Sequence, residues 1–563
     1  MTIASNFPAI KPSLMLDFAN TKRLDPRVTF TRATTATYYD GVTTAKAEEN
    51  LLLRSQDYSA TWTVTNLTPV TGKTAPDSTS TATEFTAGAA NAVLTQGYTA
   101  IAGSYTFSVW LRRVTGTGNI DIAADNGTWT TQTISGTWAR YSVTQTVAAG
   151  SKTAGIRVVT STDAIEVWGA QLEQRASMTS YTATTTQPIT NYIPVLLTAA
   201  SGVPRFDHNP TTDESLGFLI EEQRTNICLQ SEDLDTTWSE TRATLALNNR
   251  VSPAGTLTVD TLIASTDNNT HFTTQTFTGT AASYTFSVYA KASGLSHVAL
   301  RLYNGSSQVG LAYYNLSTGA TGTVTAGTAS IQSVGNGFYR CILTATLAAS
   351  ASCTAEIYLA NADNSNSFAG DAFNGVSLWG MQVELGAFPT SYIATTSATV
   401  TRNADVASMT GTNFSSWYNA AEGTLYADLI AGGSSVNDES QITISDGTTS
   451  NSFGISWTGG VFNRYSAFMF TSGTSQLTGI NEPTNTSPRN TPKKAAFVYK
   501  SNDAIGCFGG TLTSADTSIN IPVVNQLVFA SGAGTSRFLN GTIKKLAYYP
   551  LRVTNAQLQA LTS

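Results

Sequence analysis

The sequence predicts an all-β protein that holds three β-sandwich domains in tandem, of the jelly-roll or lectin-like kind. Three observations predict this fold class. First, only 12% of the 563 residues are charged, while 41% are apolar and 23 Phe, 22 Tyr and 9 Trp supply material for several cores. Second, Thr, Tyr, Phe and Val suit pleated strands, and the 44 Gly with abundant Asn and Ser suit tight turns. Third, large apolar and small polar residues alternate in short runs, the pattern of half-buried antiparallel strands.

The composition argues against several classes of function. The net charge of −6 comes without a basic block, so we expect no nucleic-acid partner. No stretch of about 18 apolar residues occurs, and residues 1–12 lack the basic and apolar regions of a signal peptide. We therefore expect neither membrane insertion nor export. Three His and four Cys are poor material for metal or nucleophilic chemistry, so we expect no cofactor and no metal site.

Residues 1–32 come first and have no counterpart elsewhere in the chain. Behind them, an internal repeat defines two copies of one domain, at 33–190 and 226–400, joined by a connector at 191–225. The matching motifs are Asn50–Asp57 with Trp62 and Asn226–Asp233 with Trp238, Ser104–Trp110 and Ser283–Tyr289, and Trp168–Glu173 and Trp379–Glu384. The motifs occur in the same order in both copies, and the offset between matching residues increases along the chain. The second copy therefore carries insertions in loops between the same strands.

Each copy is predicted to be a jelly-roll sandwich. In the first copy, Tyr105, Phe107 and Val109 alternate with small polar residues, and the second copy repeats this pattern in Tyr284–Val288. Short strands separated by Gly, Asn and Ser turns are typical of sandwiches and jelly rolls. The repeated tryptophans of these motifs are expected mainly in the cores.

Residues 411–563 are predicted to form a different all-β unit. Strands are indicated at 423–430, 440–445, 452–457, 494–500 and 526–530, and Asn-Gly or Gly-Gly turns separate the later ones. The chain ends with a predicted short helix, in which Thr554 and Gln557 have the spacing of a capping box.

Several motifs resemble those of bacteriophage virion proteins. They are Asn50–Leu52 with Trp62, Tyr105–Val109, Trp168–Glu173 followed by Thr179–Tyr181, the connector strings Val203–Pro210 and Glu214–Asn226, and Val400–Asp405. The first three resemble the carbohydrate-binding-module-like jelly roll of phage head spikes and tail fibres. The C-terminal unit resembles a concanavalin-A/laminin-G-like sandwich, through Gly506–Gly510 and Arg537–Pro550.

This resemblance implies a non-enzymatic virion protein, a head or tail fibre, spike or decoration subunit, that adheres to host-surface glycans. It implies capsid or tail proteins as partners, a homotrimer, and a place on the virion surface after assembly in the host cytoplasm. We expect residues 1–32 to dock to the capsid or tail. Two other functions stay open: a tailspike depolymerase that cuts capsule or lipopolysaccharide, and a purely structural cement or decoration protein.

Candidate glycan-binding residues lie on the outward face of the jelly-roll strands. They are Trp110, Tyr289, Arg301, Tyr303 and Tyr358, which alternate with the inward apolar residues of their strands. A sugar stacks its apolar face on an aromatic ring while its hydroxyl groups take hydrogen bonds. The alternative is that these rings pack under a loop or against another subunit, and strand parity does not decide between the two.

Catalysis is not expected. Glycoside hydrolysis needs two carboxylates that flank the scissile bond, and the consecutive Glu221 and Glu222 would point to opposite faces of a strand. His208 and the other two histidines have no partner at a useful spacing. Residues 437–439 and 446–447 offer oxygen atoms of the kind that calcium takes, although a solvated turn is the stronger expectation.

Overall fold

The computed structural model describes residues 7–433, 439–460, 462–483 and 487–563, and it confirms the all-β fold class. Within these residues the chain forms 43 strands and three short helices. The first elements are β1 (Leu14–Asp17), α1 (Phe18–Thr21), β2 (Thr29–Thr31) and β3 (Ala36–Asn50).

The first repeat copy folds into two facing five-stranded antiparallel sheets. Its strands are β4 (Thr63–Thr65), β5 (Leu67–Lys73), β6 (Ala82–Ala87), β7 (Ala92–Ala100), β8 (Gly103–Thr115), β9 (Ile120–Ala123), β10 (Thr130–Gln132), β11 (Ala139–Val147), β12 (Gly150–Val158) and β13 (Ala164–Glu173). One sheet has the order β10-β9-β12-β7-β4 and the other β11-β8-β13-β6-β5. The predicted inward residues Tyr105, Phe107 and Val109 lie in the core between the sheets, together with Trp62.

Four strands follow before the second copy begins: β14 (Ile189–Ala199), β15 (Arg205–His208), β16 (Ser215–Ile220) and β17 (Arg224–Asn226). The long strands β3 and β14 pair with each other as a two-stranded ribbon, from Ala36 opposite Ala199 to Asn50 opposite Ile189.

The second copy has the same architecture with larger sheets. Its strands are β18 (Ser239–Thr241), β19 (Ala243–Val251), β20 (Leu257–Ala264), β21 (Asn268–Thr270), β22 (Phe272–Gly279), β23 (Ala282–Ser293), β24 (His297–Tyr303), β25 (Gln308–Asn315), β26 (Ala320–Ala326), β27 (Thr328–Gly335), β28 (Phe338–Leu347), β29 (Ser350–Ala360), β30 (Ser367–Ala369) and β31 (Gly375–Leu385). The two six-stranded sheets have the orders β18-β22-β29-β24-β25-β26 and β19-β20-β31-β23-β28-β27.

The repeated Asn-Leu and Trp-Gly motifs clamp the entry and exit of each sandwich. Asn50 is fully buried, and its side-chain amide donates to the backbone carbonyls of Ala170 and Thr182 while its oxygen accepts from two backbone N–H groups. Asn226 makes the equivalent four bonds, to Met381 and Ile393 among others. Because a buried amide needs hydrogen-bond partners for all its polar atoms, both repeat copies keep this asparagine where the chain enters and leaves the sandwich.

The third sandwich is built mainly from the last part of the chain. The strand β32 (Val400–Arg402) precedes it and pairs with β17 in a separate two-stranded sheet. The elements of the third sandwich are β33 (Val406–Thr410), α2 (Thr412–Ser415), β34 (Glu422–Ile430), β35 (Glu439–Ser445), β36 (Ser452–Thr458), β37 (Arg464–Thr471), β38 (Thr474–Ser475), β39 (Pro492–Lys500), β40 (Asp503–Phe508), β41 (Thr511–Leu512), β42 (Gln526–Val528), β43 (Gly541–Tyr549) and α3 (Asn555–Thr562). All five predicted strands are present, and the predicted capping box of Thr554 and Gln557 is formed.

Strands from two distant parts of the chain complete this third sandwich. One sheet has the order β15-β16-β43-β34-β39-β40-β41 with β1 also paired to β43, and the other has the order β2-β33-β42-β35-β36-β37-β38. The buried Leu16 and Ile220 belong to its core. The expectation of a separate docking segment at 1–32 and a plain connector at 191–225 is corrected to this extent, because both ranges bury apolar side chains in the C-terminal sandwich.

A buried network of charged side chains joins these separate parts of the chain. Asp405 accepts from Arg32 at 2.8 Å and from Arg205 at 2.5 Å, and Arg205 also contacts Glu221 at 2.8 Å. Arg402 lies 3.6 Å from Glu221. Burial raises the pKa of Glu221, but the charges of Arg402 and Arg205 outweigh it and hold that pKa at about 2. Glu221 is thus an ion-pair residue of the fold.

Candidate functional site

Three of the five predicted site residues lie together on the outward face of the second sandwich. Arg301 and Tyr303 belong to β24 and Tyr358 to the neighbouring β29. Leu300 and Leu302, which alternate with them, are fully buried in the core. The parity of the strand therefore turns Arg301 and Tyr303 away from the core, as the alternation predicts.

An ion pair organises this face. Arg301 lies opposite Glu356 in the ladder, donates from Nε to Glu356 Oε2 at 2.7 Å, and brings Nη2 within 2.5 Å of the same oxygen. Its guanidinium lies 5.0 Å from the ring centre of Tyr358 and 5.5 Å from that of Tyr303. Thr354 and Tyr358 each donate a hydroxyl hydrogen to Glu356 at 2.7 Å. The carboxylate is therefore held by three side chains.

Aromatic and aliphatic side chains form the floor beside this ion pair. The rings of Phe272 and Tyr358 are stacked at 4.7 Å with 23° between their planes, and Tyr313 packs in the same cluster. Tyr358 is only 4% exposed, so the expectation that its ring is open for stacking is wrong: Arg301 and Phe272 lie on it. The partly exposed rings of this face are Phe272 and Tyr303.

Phe272 was absent from the sequence-based candidates. Its signal was present in the parity of β22, where Phe277 points into the core and Phe272, at an odd separation, points out. We call the surface formed by Phe272, Arg301, Tyr303 and Glu356 the outer aromatic face.

The first copy carries a related arrangement on the corresponding sheet. The Arg157 guanidinium lies 5.0 Å from the ring centre of Trp129 and donates to Asp121 at 2.6 and 2.9 Å, and Thr131 donates to the same carboxylate at 2.7 Å. Both copies thus combine a cation, an aromatic ring and a carboxylate on the outward side of the same strand pair.

The ladder registers show that the two arrangements are not at equivalent positions. Matching glutamines in the two copies each bind the backbone of the loop after the buried asparagine. They pair across the ladder as Gln96 with Ala154 and Gln275 with Ala355. The first copy therefore has Gly155 where the second has Glu356, and Arg157 where the second has Tyr358. The charged residues of the outward faces therefore occupy different positions in the two copies.

The other two predicted residues face away from their own cores but are covered by other parts of the chain. Tyr289 is 3% exposed and packs 5.3 Å from Trp379 and 6.0 Å from Tyr392, in a cluster that includes residues of the β3–β14 ribbon. Trp110 packs 5.6 Å from Phe373 of the second sandwich. The prediction of open rings does not hold here, because these sheet faces are contacts between domains, which is the packing alternative.

The described residues offer no group of three or more His, Cys, Asp and Glu side chains arranged to hold a metal ion. In the possible calcium loops, Glu439 pairs with Arg537 at 3.1 Å and Asp446 accepts from Thr448 at 2.6 and 2.9 Å. Residues 437 and 438 lie outside the described residues. Of the described helices, none has the length and apolar character to cross a membrane.

Comparison with known proteins finds similarity only at the level of solved structures. No family model and no curated protein matches the chain. The chain is similar to the CBM40 module of the Ruminococcus gnavus IT-sialidase, with 13% identity and a TM-score of 0.21 over 26% of this chain and 84% of that one. It is also similar to domains LG4-5 of the mouse laminin alpha1 chain (8% identity, TM-score 0.16, 50% and 85% covered) and to the Trypanosoma rangeli sialidase (9% identity, TM-score 0.22, 94% and 93% covered). These similar structures include a carbohydrate-binding module and laminin G domains.

Proposed function

We propose that this chain is a non-enzymatic adhesion protein of a bacteriophage virion, which binds host-surface glycans through the outer aromatic face of its second sandwich. The observation that supports glycan binding is the arrangement of two partly exposed rings, Phe272 and Tyr303, beside the fixed ion pair of Arg301 and Glu356. The virion assignment is supported by the motif resemblance, which also suggests capsid or tail partners, a homotrimer and a place on the virion surface.

The chemistry of the face suits a sugar. The rings of Phe272 and Tyr303 provide apolar surfaces for the C–H face of a pyranose, and the Arg301–Glu356 pair provides a donor and an acceptor in a fixed geometry. Because Arg301 is already oriented by Glu356, little side-chain entropy is lost when a hydroxyl group binds. Several copies in one particle add avidity, so that individual affinities of about millimolar strength suffice.

The same geometry disfavours hydrolysis. A retaining or inverting glycosidase needs one carboxyl group that donates a proton and a second carboxylate across the bond. Glu356 accepts hydrogen bonds from Arg301, Thr354 and Tyr358. The carboxylate is thus engaged by three side chains of the protein itself.

A glycan array and titration calorimetry with host lipopolysaccharide or capsule, on the full chain, test this proposal. We expect Tyr303→Ala to weaken binding about fivefold or more, since a well-packed interface ring contributes about 1 kcal/mol or more. Tyr192→Ala is the matched control, because Tyr192 is 57% exposed on the β14 ribbon, away from this face.

Three results would contradict parts of the proposal. Release of reducing ends from the polysaccharide would identify a depolymerase. No binding to any glycan or to whole cells would leave a purely structural cement protein. Equal binding by Tyr303→Ala and Tyr192→Ala would remove the outer aromatic face as the site. Electron microscopy of particles labelled with an antibody against the chain tests the virion assignment.

A further inference from the structure

A cleft of about 610 Å³ opens where the second sandwich, the connector, the β3–β14 ribbon and the third sandwich meet. This volume lies in the range of about 300–1,000 Å³ that small-molecule sites occupy. The side chains that matter for the argument are Tyr39, Asp207, His208, Tyr289, Arg340 and Lys544. The cleft is separate from the outer aromatic face, which lies on the opposite sheet of the second sandwich.

Buried polar atoms in this cleft have no partner among the described residues. Tyr39 is 8% exposed and its hydroxyl makes no hydrogen bond, and His208 is 2% exposed with an unpartnered Nε2. The Nδ1 atom of His208 lies 3.1 Å from the carbonyl oxygens of Tyr39 and Phe206, so it carries the ring proton and Nε2 is left as an acceptor. Thr542 adds a third buried and unpartnered hydroxyl. Buried polar groups in native proteins are normally satisfied, and a molecule that both donates and accepts hydrogen bonds would complete the bonding of these atoms.

The internal repeat offers a second and independent observation. In the first copy, Arg140 donates from Nη1 to the backbone oxygen of Thr179 at 2.7 Å. Arg340 is the equivalent residue of the second copy, because it pairs with Tyr289 across the ladder as Arg140 pairs with Trp110. Thr390 is the equivalent of Thr179, because the backbone N–H of each donates to the glutamate that ends the Trp-Gly motif. Arg340 donates to Ser287 through Nε and Nη2, and among the described residues no hydrogen bond joins it to Thr390. The second copy thus leaves a guanidinium donor of Arg340 beside the cleft, whereas the first copy uses the equivalent donor of Arg140 for a bond within its own sandwich.

The charges around the cleft are balanced. Asp207, Glu214 and Glu221 are acidic and Arg340 and Lys544 are basic. Lys544 is paired with Glu214, and Glu221 with Arg205 behind the cleft, so Asp207 and Arg340 remain as one charge of each sign. Asp207 would repel an anion and Arg340 would repel a cation, so neither charge sign is favoured as a ligand. A neutral molecule with many hydroxyl groups meets donors and acceptors alike in this lining.

We propose that this cleft is a second carbohydrate site, which binds a short neutral saccharide of one or two sugar units. A sugar hydroxyl donates to His208 Nε2, others exchange hydrogen bonds with the Tyr39 and Thr542 hydroxyls, and Arg340 donates to a ring or hydroxyl oxygen. Asp207, which accepts the backbone N–H of Tyr39 at 2.8 Å, holds that tyrosine against the cleft. The assignment does not depend on the outer aromatic face.

Saturation-transfer NMR and calorimetry with glucose, galactose, N-acetylglucosamine, maltose and lactose test the cleft, and sialyllactose and glucosamine serve as charged probes. The full chain with Tyr303→Ala is the background, so that the outer aromatic face does not contribute. We expect at least one neutral saccharide to bind, and the added Tyr39→Phe change to weaken it fivefold or more. Because this change only removes an unpartnered hydroxyl, the melting temperature should stay equal or rise. Tyr192→Phe on the same ribbon is the matched control and should change neither quantity.

The outcomes separate the cleft from the proposed function. If the Tyr303→Ala background binds no neutral saccharide, or if Tyr39→Phe and Arg340→Gln leave the affinity unchanged, the cleft assignment is overturned while the outer aromatic face is untouched. Stronger binding of sialyllactose or glucosamine than of any neutral sugar would also overturn it. If instead Tyr39→Phe lowers affinity and Tyr303→Ala alone has no effect on any glycan, the cleft stands and the outer aromatic face fails.

Discussion

Replacing Leu16 with alanine is expected to destabilise the C-terminal sandwich, although Leu16 lies more than 500 positions before its ladder partner Leu546. Leu16 is 2% exposed and packs in the core of that sandwich. Burial of this kind makes a leucine-to-alanine change cost about 2–5 kcal/mol, and a short edge strand that can relax favours a value near 3 kcal/mol. For a domain of this size that loss lowers the melting temperature by roughly 6–12 °C.

Unfolding followed by tryptophan fluorescence measures this effect, because Trp417 and Trp457 lie in the same core as Leu16. Met15→Ala is the matched control: Met15 is the next residue of the same strand but is 44% exposed, so its loss should cost less than about 0.5 kcal/mol. Equal midpoints for the two variants would refute the pairing of β1 with β43. Deletion of residues 1–32 should likewise unfold this sandwich, whereas a simple docking segment would leave it folded.

Two carboxyl groups whose pKa values are shifted in opposite directions, those of Asp207 and Glu221, should give opposite pH dependences of stability. Burial raises the pKa of Asp207 from 3.8 to about 6, so its contribution is present below pH 3.8 and is lost as the pH rises through 6; Asp207→Asn should therefore add about 1–3 kcal/mol at pH 7.5 and little at pH 3.5. The pKa of Glu221 is lowered from 4.5 to about 2, so its contribution is present above pH 4.5 and is lost as the pH falls towards 2. Glu221→Gln should cost about 3–5 kcal/mol at pH 7 and progressively less below pH 4. Melting curves across this range check both, and parallel shifts of the two variants would contradict the assignment.

Much of the fold could be predicted because its determinants are local. Strand parity placed Phe107 and Val109 in a core, and the five strands of the C-terminal unit were each indicated by their own residues and by the turns between the later ones. The pairing of β1 and β16 with β43 could not be predicted in this way. A strand of four to six residues carries no information about a partner hundreds of positions away. The partner depends on which segments the folded chain brings to the edge of β43 that β34 leaves unpaired.

The candidate site was predicted in part for a related reason. Parity states which face of a sheet a side chain occupies, and it placed Arg301 correctly on an outward face. It does not state what covers that face, and Tyr289 is buried against a ribbon that comes from another part of the chain. The unpartnered Nε2 of His208 was out of reach as well, because its significance depends on carbonyl groups that the fold brings to Nδ1.

A comparison of the two repeat copies distinguishes the residues that maintain the fold from the residues that differ without changing it. Positions that bind the backbone are the same in both: the buried Asn50 and Asn226 make the same four hydrogen bonds. Positions that face outward differ, so that Gly155 in the first copy stands where Glu356 anchors Arg301 in the second. Repeated residues are therefore poor guides to a binding site in this chain, and a motif search weights them most. The differences between the copies are the better guide to the outer aromatic face, whose Glu356 and adjacent Tyr358 stand where the first copy has Gly155 and Arg157.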